Sequence, residues 1–136
     1  MNQSYKSDGM DYGFIQSHCL SKKGAEEDYK QAWDAIRYAV RGKIFALVGY
    51  DGEGHAVISV KHTPEQGEAL REKYNDILPG YHLNKTHWSS VLLSGKVPEA
   101  VLKRMLDDSY ELIFRSLSKK TRNDILNQQI SPEQNK

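Results

Sequence analysis

The densest run of chemically capable side chains is Pro79-Gly80-Tyr81-His82-Leu83-Asn84-Lys85-Thr86-His87-Trp88. Rings, imidazoles, a carboxamide and an ammonium alternate there, in a stretch too polar for a core and too aromatic for an idle loop. Such a mixture suits nucleic acid. Lys85 is a candidate phosphate contact, His82, Asn84 and His87 are candidates for hydrogen bonds to base or sugar, and Tyr81 and Trp88 for stacking or wedging. The competing reading buries Tyr81 and Trp88 as amphipathic core aromatics and leaves the remainder as a turn. A second cationic group, Arg115, Lys119, Lys120 and Arg122, follows the longest amphipathic stretch. It can hold a phosphate backbone, or it can simply complement the negative end of a helix. Arg41 and Lys43 flank a glycine at a hairpin tip and form a third candidate contact.

Other chemistries are poorly supported. Gly49-Tyr50-Asp51-Gly52-Glu53-Gly54 has the order G-x-x-G-x-G between two apolar strands, which is hairpin chemistry rather than a dinucleotide fingerprint. There is no Walker loop and no G-x-S-x-G elbow. The five histidines, His18, His55, His62, His82 and His87, lack the spacing that converges on a metal. His82 and His87 are five apart and His55 and His62 seven apart, so each pair falls on opposite faces of a straight strand. Cys19, the single cysteine, sits on the apolar side of a helix and reads as a small buried hydrophobe rather than a nucleophile. Nothing in the spacing of Asp and Glu singles out a catalytic pair. The expectation is a protein without enzymatic activity, cofactor or metal.

These groups need a scaffold, and hydrophobic periodicity supplies one. Residues 1–9 are polar and expected to be flexible. Asp11 is placed to cap a helix running to about Leu20, with Tyr12, Ile15 and Cys19 on one side. Ser21 to Gly24 is the helix exit, and Glu26-Glu27-Asp28 reads as a solvated connection. From Trp33 to Lys61 the period becomes that of strands. Ile36, Tyr38 and Val40 alternate with Arg37 and Ala39, Arg41-Gly42-Lys43 turns, Ile44 to Tyr50 is a central strand, and Ala56, Ile58 and Val60 face the core from a third. Links this short require antiparallel neighbours.

Thr63-Pro64-Glu65-Gln66 is a capping box with proline in the first turn. It opens a helix to about Tyr74 that buries Ala69 and Leu70 and ends before Pro79-Gly80. One or two strands are expected between Tyr81 and Leu93. Pro98 then opens the longest helix, to about Leu117, with a stripe of Val101, Leu102, Met105, Leu106, Leu112, Ile113 and Leu117. Residues 123–136 are expected to form a polar, frayed tail. The order implies an α+β fold: an antiparallel sheet of four to five strands with helices packed on one face.

The chain has 136 residues, 38% of them hydrophobic and 27% charged, enough for one core and too apolar for wholesale disorder. No apolar run is long enough to cross a bilayer, and MNQSYKSDGMDYG has no stretch resembling a signal peptide. With one cysteine, a reducing cytoplasm is the expected compartment. The formal net charge of +1 is unevenly spread: residues 80–122 carry 8 Lys and Arg against 4 Asp and Glu. That imbalance permits contact with phosphate without demanding it.

The run PGYHLNKTHWSSVLLSGKVPEAVLKRMLDDSYELIFRSLSKKTR resembles the C-terminal half of the bacterial MmcQ/YjbR family. The matching residues are Pro79 to Trp88, Gly95, Pro98, Ser109-Tyr110-Glu111-Leu112 and Ser116-Leu117-Ser118-Lys119-Lys120. Upstream, Cys19-Leu20-Ser21, Gly24 to Tyr29 and Lys43 to Leu47 are similar to that family's opening helix exit and central strand. The likeness spans about residues 10–122, which defines the expected domain. Two loop positions depart from the family pattern: Lys22-Lys23 and Ser118 stand where proline is common. The resemblance implies a two-layer α+β domain, secretion-chaperone-like in outline and described as a double-wing DNA-binding motif, with duplex DNA as its expected partner. The alternatives are a protein-interaction or chaperone-like module and a small-ligand-binding domain; a protein partner or homodimer stays open.

Overall fold

The computed structural model describes residues 13–81 and 83–134, with side chains through residue 128. Helix α1 (Phe14–Leu20) precedes strands β1 (Ala25–Lys30), β2 (Ala35–Val40), β3 (Lys43–Tyr50) and β4 (Ala56–Lys61), with a 3-10 turn at Gln31–Trp33 between β1 and β2. Helix α2 (Pro64–Lys73), strands β5 (Ile77–Pro79) and β6 (Trp88–Leu92), and helices α3 (Glu99–Ser116) and α4 (Lys119–Gln134) follow. The strands form one antiparallel sheet in the order β1-β2-β3-β4-β6-β5.

One face of that sheet makes the core. Tyr38, Val40, Ala46, Val48, Ile58 and Val60 meet Leu102, Met105, Leu106 and Ile113 of α3 and Ile15 and Cys19 of α1. Asp107 of α3 receives Lys22 Nζ and His18 Nε2, at 2.5 and 2.8 Å, and so fastens the exit of α1 to α3. Partial burial works against this carboxylate, but those two donors outweigh it and hold its pKa below the ordinary value.

A bulge breaks the regular ladder. Tyr38 faces Ala46 while Ala39 faces Ile44, so Phe45 has no opposite residue. Both Phe45 and Ala46 therefore turn into the core. Ser109 of α3 replaces the lost ladder contacts: its hydroxyl donates to Phe45 O at 2.6 Å and accepts from Lys61 N at 2.9 Å.

The sheet has six strands rather than four to five. Glu26-Glu27-Asp28 belongs to β1, an edge strand whose side chains are mostly exposed and do not alternate. It is held by backbone pairing with β2 and by the Arg37–Asp28 ion pair, which leaves no hydrophobic signature. Strand β5 lies before Gly80, and the described residues between Gly80 and β6, 81 and 83–87, are in neither helix nor strand.

Helix α2 has the capping box expected, with Thr63 Oγ1 accepting from Gln66 N and Gln66 Oε1 from Thr63 N. It buries Gly67 against the His62 ring rather than Ala69, which is exposed; Leu70 is half-buried. The fraying expected from Asn123 is replaced by α4, opened by Ser118 Oγ on Thr121 N and anchored by the fully buried Ile125. Ile125, Leu126 and Ile130 among polar residues do not fall into a helical stripe, so no periodicity shows. The expected cap Asp11, with Tyr12 and residues 1–9, lies outside the described residues.

Candidate nucleic-acid interface

Register decides which candidate groups meet. Val40 pairs with Lys43, Lys61 with Trp88, and Pro79 with Ser89. One end of the sheet therefore collects the β2–β3 turn, the end of β4 and the β5–β6 loop. Helix α3 starts from the opposite end, where Leu93 N bonds Ala56 O, and reaches Lys61 at Ser109. Its last two turns overhang the first end by ~10 Å at 1.5 Å per residue, and α4 begins there. Ile125 then lies against Gly24 and Val40, and Arg41 Nη2 reaches Gln128 Oε1 at 3.4 Å. Arg41, Lys43, Lys85, His87, Lys119, Lys120 and Arg122 are thus all carried by segments at this end.

Their local states differ. Arg41, at φ 50°, and Gly42, at φ 83°, make the tight turn that exposes Arg41 and Lys43. In the β5–β6 loop, Asn84 Oδ1 accepts from Thr86 N at 2.9 Å and His87 N at 3.3 Å, so the side-chain oxygen shapes the loop. Lys85 is exposed and gives one N–H to Gly80 O at 2.7 Å, which leaves its other two donors outward. Gly80 is required where it stands: a Cβ there would lie 2.8 Å from that of Trp88. His87 is exposed; His82 lies outside the described residues.

Around the helical corner, Arg122 Nη1 donates to Arg115 O at 3.2 Å and Leu117 O at 2.6 Å, capping α3. Arg115 bonds Glu111 at 3.0 Å. Helix-dipole complementarity thus accounts for Arg115 and Arg122. It does not account for Lys119 and Lys120, which occupy the first turn of α4, at the positive end of its dipole. Lys120 is offset by Asp124 at 3.3 Å, and Lys119 is exposed.

The two aromatics of the block point elsewhere. Trp88 is half-buried within β6. Tyr81 turns onto the sheet face away from the helices, with its N–H on Ser90 Oγ at 3.1 Å and its ring toward Gly52. There it lines a cleft of about 560 Å3 with Trp33, Ala35, Leu47, Gly49 and Val57. Sequence reasoning missed this cleft. The available signal was β4, where Val57 is apolar on the face opposite to Ile58.

Three other titratable groups are tied into the fold. His62 is buried: Nδ1 donates to Thr63 O at 2.8 Å, Nε2 accepts from Ser89 Oγ at 2.7 Å, and Arg71 Nη1 donates to the same hydroxyl at 2.8 Å. Burial, then the nearby Arg71 charge, keep its pKa below that of free histidine. Burial pushes the Cys19 thiol up to about 12, so it is inert. His55 bonds Asp51 in the β3–β4 turn.

Known proteins are similar to this chain over most of the same fold. Residues 20–112 match the YjbR family model. YjbR of Escherichia coli K12, described as an uncharacterized protein, is 35% identical over 108 residues, 79% of this chain and 91% of its own. Bacillus subtilis YyaQ, described in the same way, is 31% identical over 113 residues, covering 72% of this chain and 93% of its own. The crystal structure of Deinococcus radiodurans DR2400, a DUF419 domain, superposes with a TM-score of 0.75 at 27% identity, covering 92% of this chain and 91% of its own. A Pseudomonas syringae protein of known crystal structure gives a TM-score of 0.64 at 27% identity, with 76% and 99% covered. A family model matched over residues 20–112 and relatives 31–35% identical over most of their own length show that this chain belongs to the YjbR family.

Proposed function

We propose that the protein binds duplex DNA through the basic end of its sheet and catalyses no reaction of its own. Two connections, the β2–β3 turn and the β5–β6 loop, would approach the duplex as wings on either side of the α3–α4 corner. Lys43, Lys85 and Lys119 would carry most of the phosphate contact, with Arg41, Lys120 and Arg122 behind them and His87 placed for sugar or base. Tyr81 is left out of this interface because its ring lines the cleft on the sheet face, Trp88 because it is half-buried, and Asn84 because its side-chain oxygen is engaged.

The observation that carries the reading is Lys119. An exposed ammonium in the first turn of a helix opposes the macrodipole, typically by ~0.3–1 kcal/mol, and a phosphate beside it would relieve that repulsion while accepting free helix N–H groups. Two further segments, the β2–β3 turn and the β5–β6 loop, bring cations to the same end. The test is fluorescence anisotropy of a labelled duplex of mixed sequence titrated with the full chain. Affinity is expected to fall ~10-fold or more between 50 and 200 mM salt for a handful of phosphate contacts. Absence of binding at the lower salt rejects the proposal.

A further inference from the structure

The cleft on the sheet face away from the helices, about 560 Å3, falls within the ~300–1,000 Å3 common for small-molecule sites. Its floor is flat. Gly49 pairs with Val57 across β3 and β4, and a Cβ at Gly49 would come within 3.3 Å of Ala35 Cβ on β2. Trp33, 53% exposed, stands on the 3-10 turn at one side. Tyr81, 36% exposed, stands at the other.

Both rings are held rather than loose. The Lys30 ammonium and Arg37 guanidinium lie 5.7 and 5.6 Å from the Trp33 ring centroid. Tyr81 is tied at its N–H to Ser90 Oγ, which meets Ser59 Oγ of the cleft wall at 2.6 Å. Its hydroxyl rests close over Gly52, where a Cβ would be 2.6 Å away. Two rings standing over a floor of Ala35, Gly49, Leu47 and Val57 make an apolar slot for a flat molecule.

Charge narrows the choice. Among the described residues that line the cleft, Asp51 is the only charged one. Its Oδ1 accepts from Glu53 N and His55 N, both at 2.9 Å, and its Oδ2 meets the His55 ring at 3.1 Å, an arrangement suited to the ionised carboxylate. Lys30 and Arg37 lie by the Trp33 ring, but Arg37 is paired with Asp28 and neither lines the cleft, so the charge at the lining is that of Asp51. We propose that this cleft binds a small planar aromatic molecule, neutral or cationic and not anionic, stacked over the Ala35–Gly49 floor between Trp33 and Tyr81. The inference does not depend on DNA binding.

Benzamidine, benzamide and benzoate share one ring and differ in charge, and cyclohexanecarboxamide removes the planarity. Each is titrated against the full-length, 15N-labelled chain. Benzamidine and benzamide are expected to shift the Trp33 indole N–H and the Gly49 and Gly52 amides saturably. Benzoate should bind ~5-fold more weakly, as expected for one like charge nearby in water. Cyclohexanecarboxamide should also be weaker. Losing one aromatic partner should weaken benzamide by ~2–10-fold in Trp33→Ala, which alters an exposed turn, and in Tyr81→Ala, with the rest of the spectrum unchanged. Shifts that fail to saturate with any of the four, tightest binding of benzoate, or shifts centred on the gap between α2 and α3 would overturn the proposal.

Discussion

At the scale of single residues, the most recognisable motif side chains act as fasteners. Ser109 links the bulged Phe45 carbonyl to the Lys61 amide, and the Tyr110 hydroxyl reaches Lys23 O at 2.7 Å while its ring meets Phe45 edge-on. Ser109→Ala would leave two backbone groups without their partner, at a cost of about 1–3 kcal/mol; urea unfolding should show it with the fold retained. His62 gives a pH prediction. Its folded pKa lies below the unfolded value, so the unfolded chain binds more protons between the two. Stability is therefore full above the unfolded value near ~6.5 and declines as pH falls through it toward the folded value. Unfolding followed from pH 7.5 to 5 should show this slope, and His62→Gln, which cannot take the proton, should flatten it. The carboxylates with lowered pKa, Asp28, Asp51 and Asp107, act in a separate window: their stabilisation is present above ~4 and is lost below it. None of these roles was legible beforehand. A motif shows which residue types recur together, not that Ser109 serves a bulge, because the bulge lies in the β2–β3 hairpin and Ser109 reaches it from α3, 64 residues along the chain.

At the scale of elements, legibility tracked how much of the energy is local. Helix α3 carries its stripe within one stretch, and the Thr63 capping box closes within four residues, so both were readable. Strand β1 and helix α4 were not, since each depends on a distant surface: β1 on the open edge of β2, α4 on the contact of Ile125 with Gly24 and Val40. That dependence makes α4 testable. Truncating a buried isoleucine typically costs about 2–5 kcal/mol, and α4 has little other burial among its described side chains. Ile125→Ala should therefore release α4 before the rest unfolds. Limited proteolysis should cut within residues 119–134 while leaving 13–117 intact, and amide exchange should quicken there first. Uniform loss of stability across the chain would mean that α4 is integral to the core rather than docked upon it.

At the scale of the whole molecule, the proposed role rests on a polarity of charge that the net value conceals. The sheet end bearing Lys43, Lys85 and Lys119 is cationic. The opposite end carries Lys96 on the turn after β6, where its backbone N–H is held by Asp76 Oδ2 at 2.9 Å. Charge reversal at either end changes the net charge equally, so the two ends can be compared without altering long-range attraction for a polyanion. Lys43→Glu and Lys119→Glu should each weaken duplex binding and reduce the dependence of log K on log salt by about one counterion. Lys96→Glu should reduce affinity only through the screened net-charge effect, which fades beyond ~10 Å at 0.1 M salt, and should leave that slope unchanged. All three side chains are exposed, so folding should be preserved in each variant. Equal losses from both ends would mean that DNA senses only total charge and that the arrangement of wings and helical corner has no part in recognition.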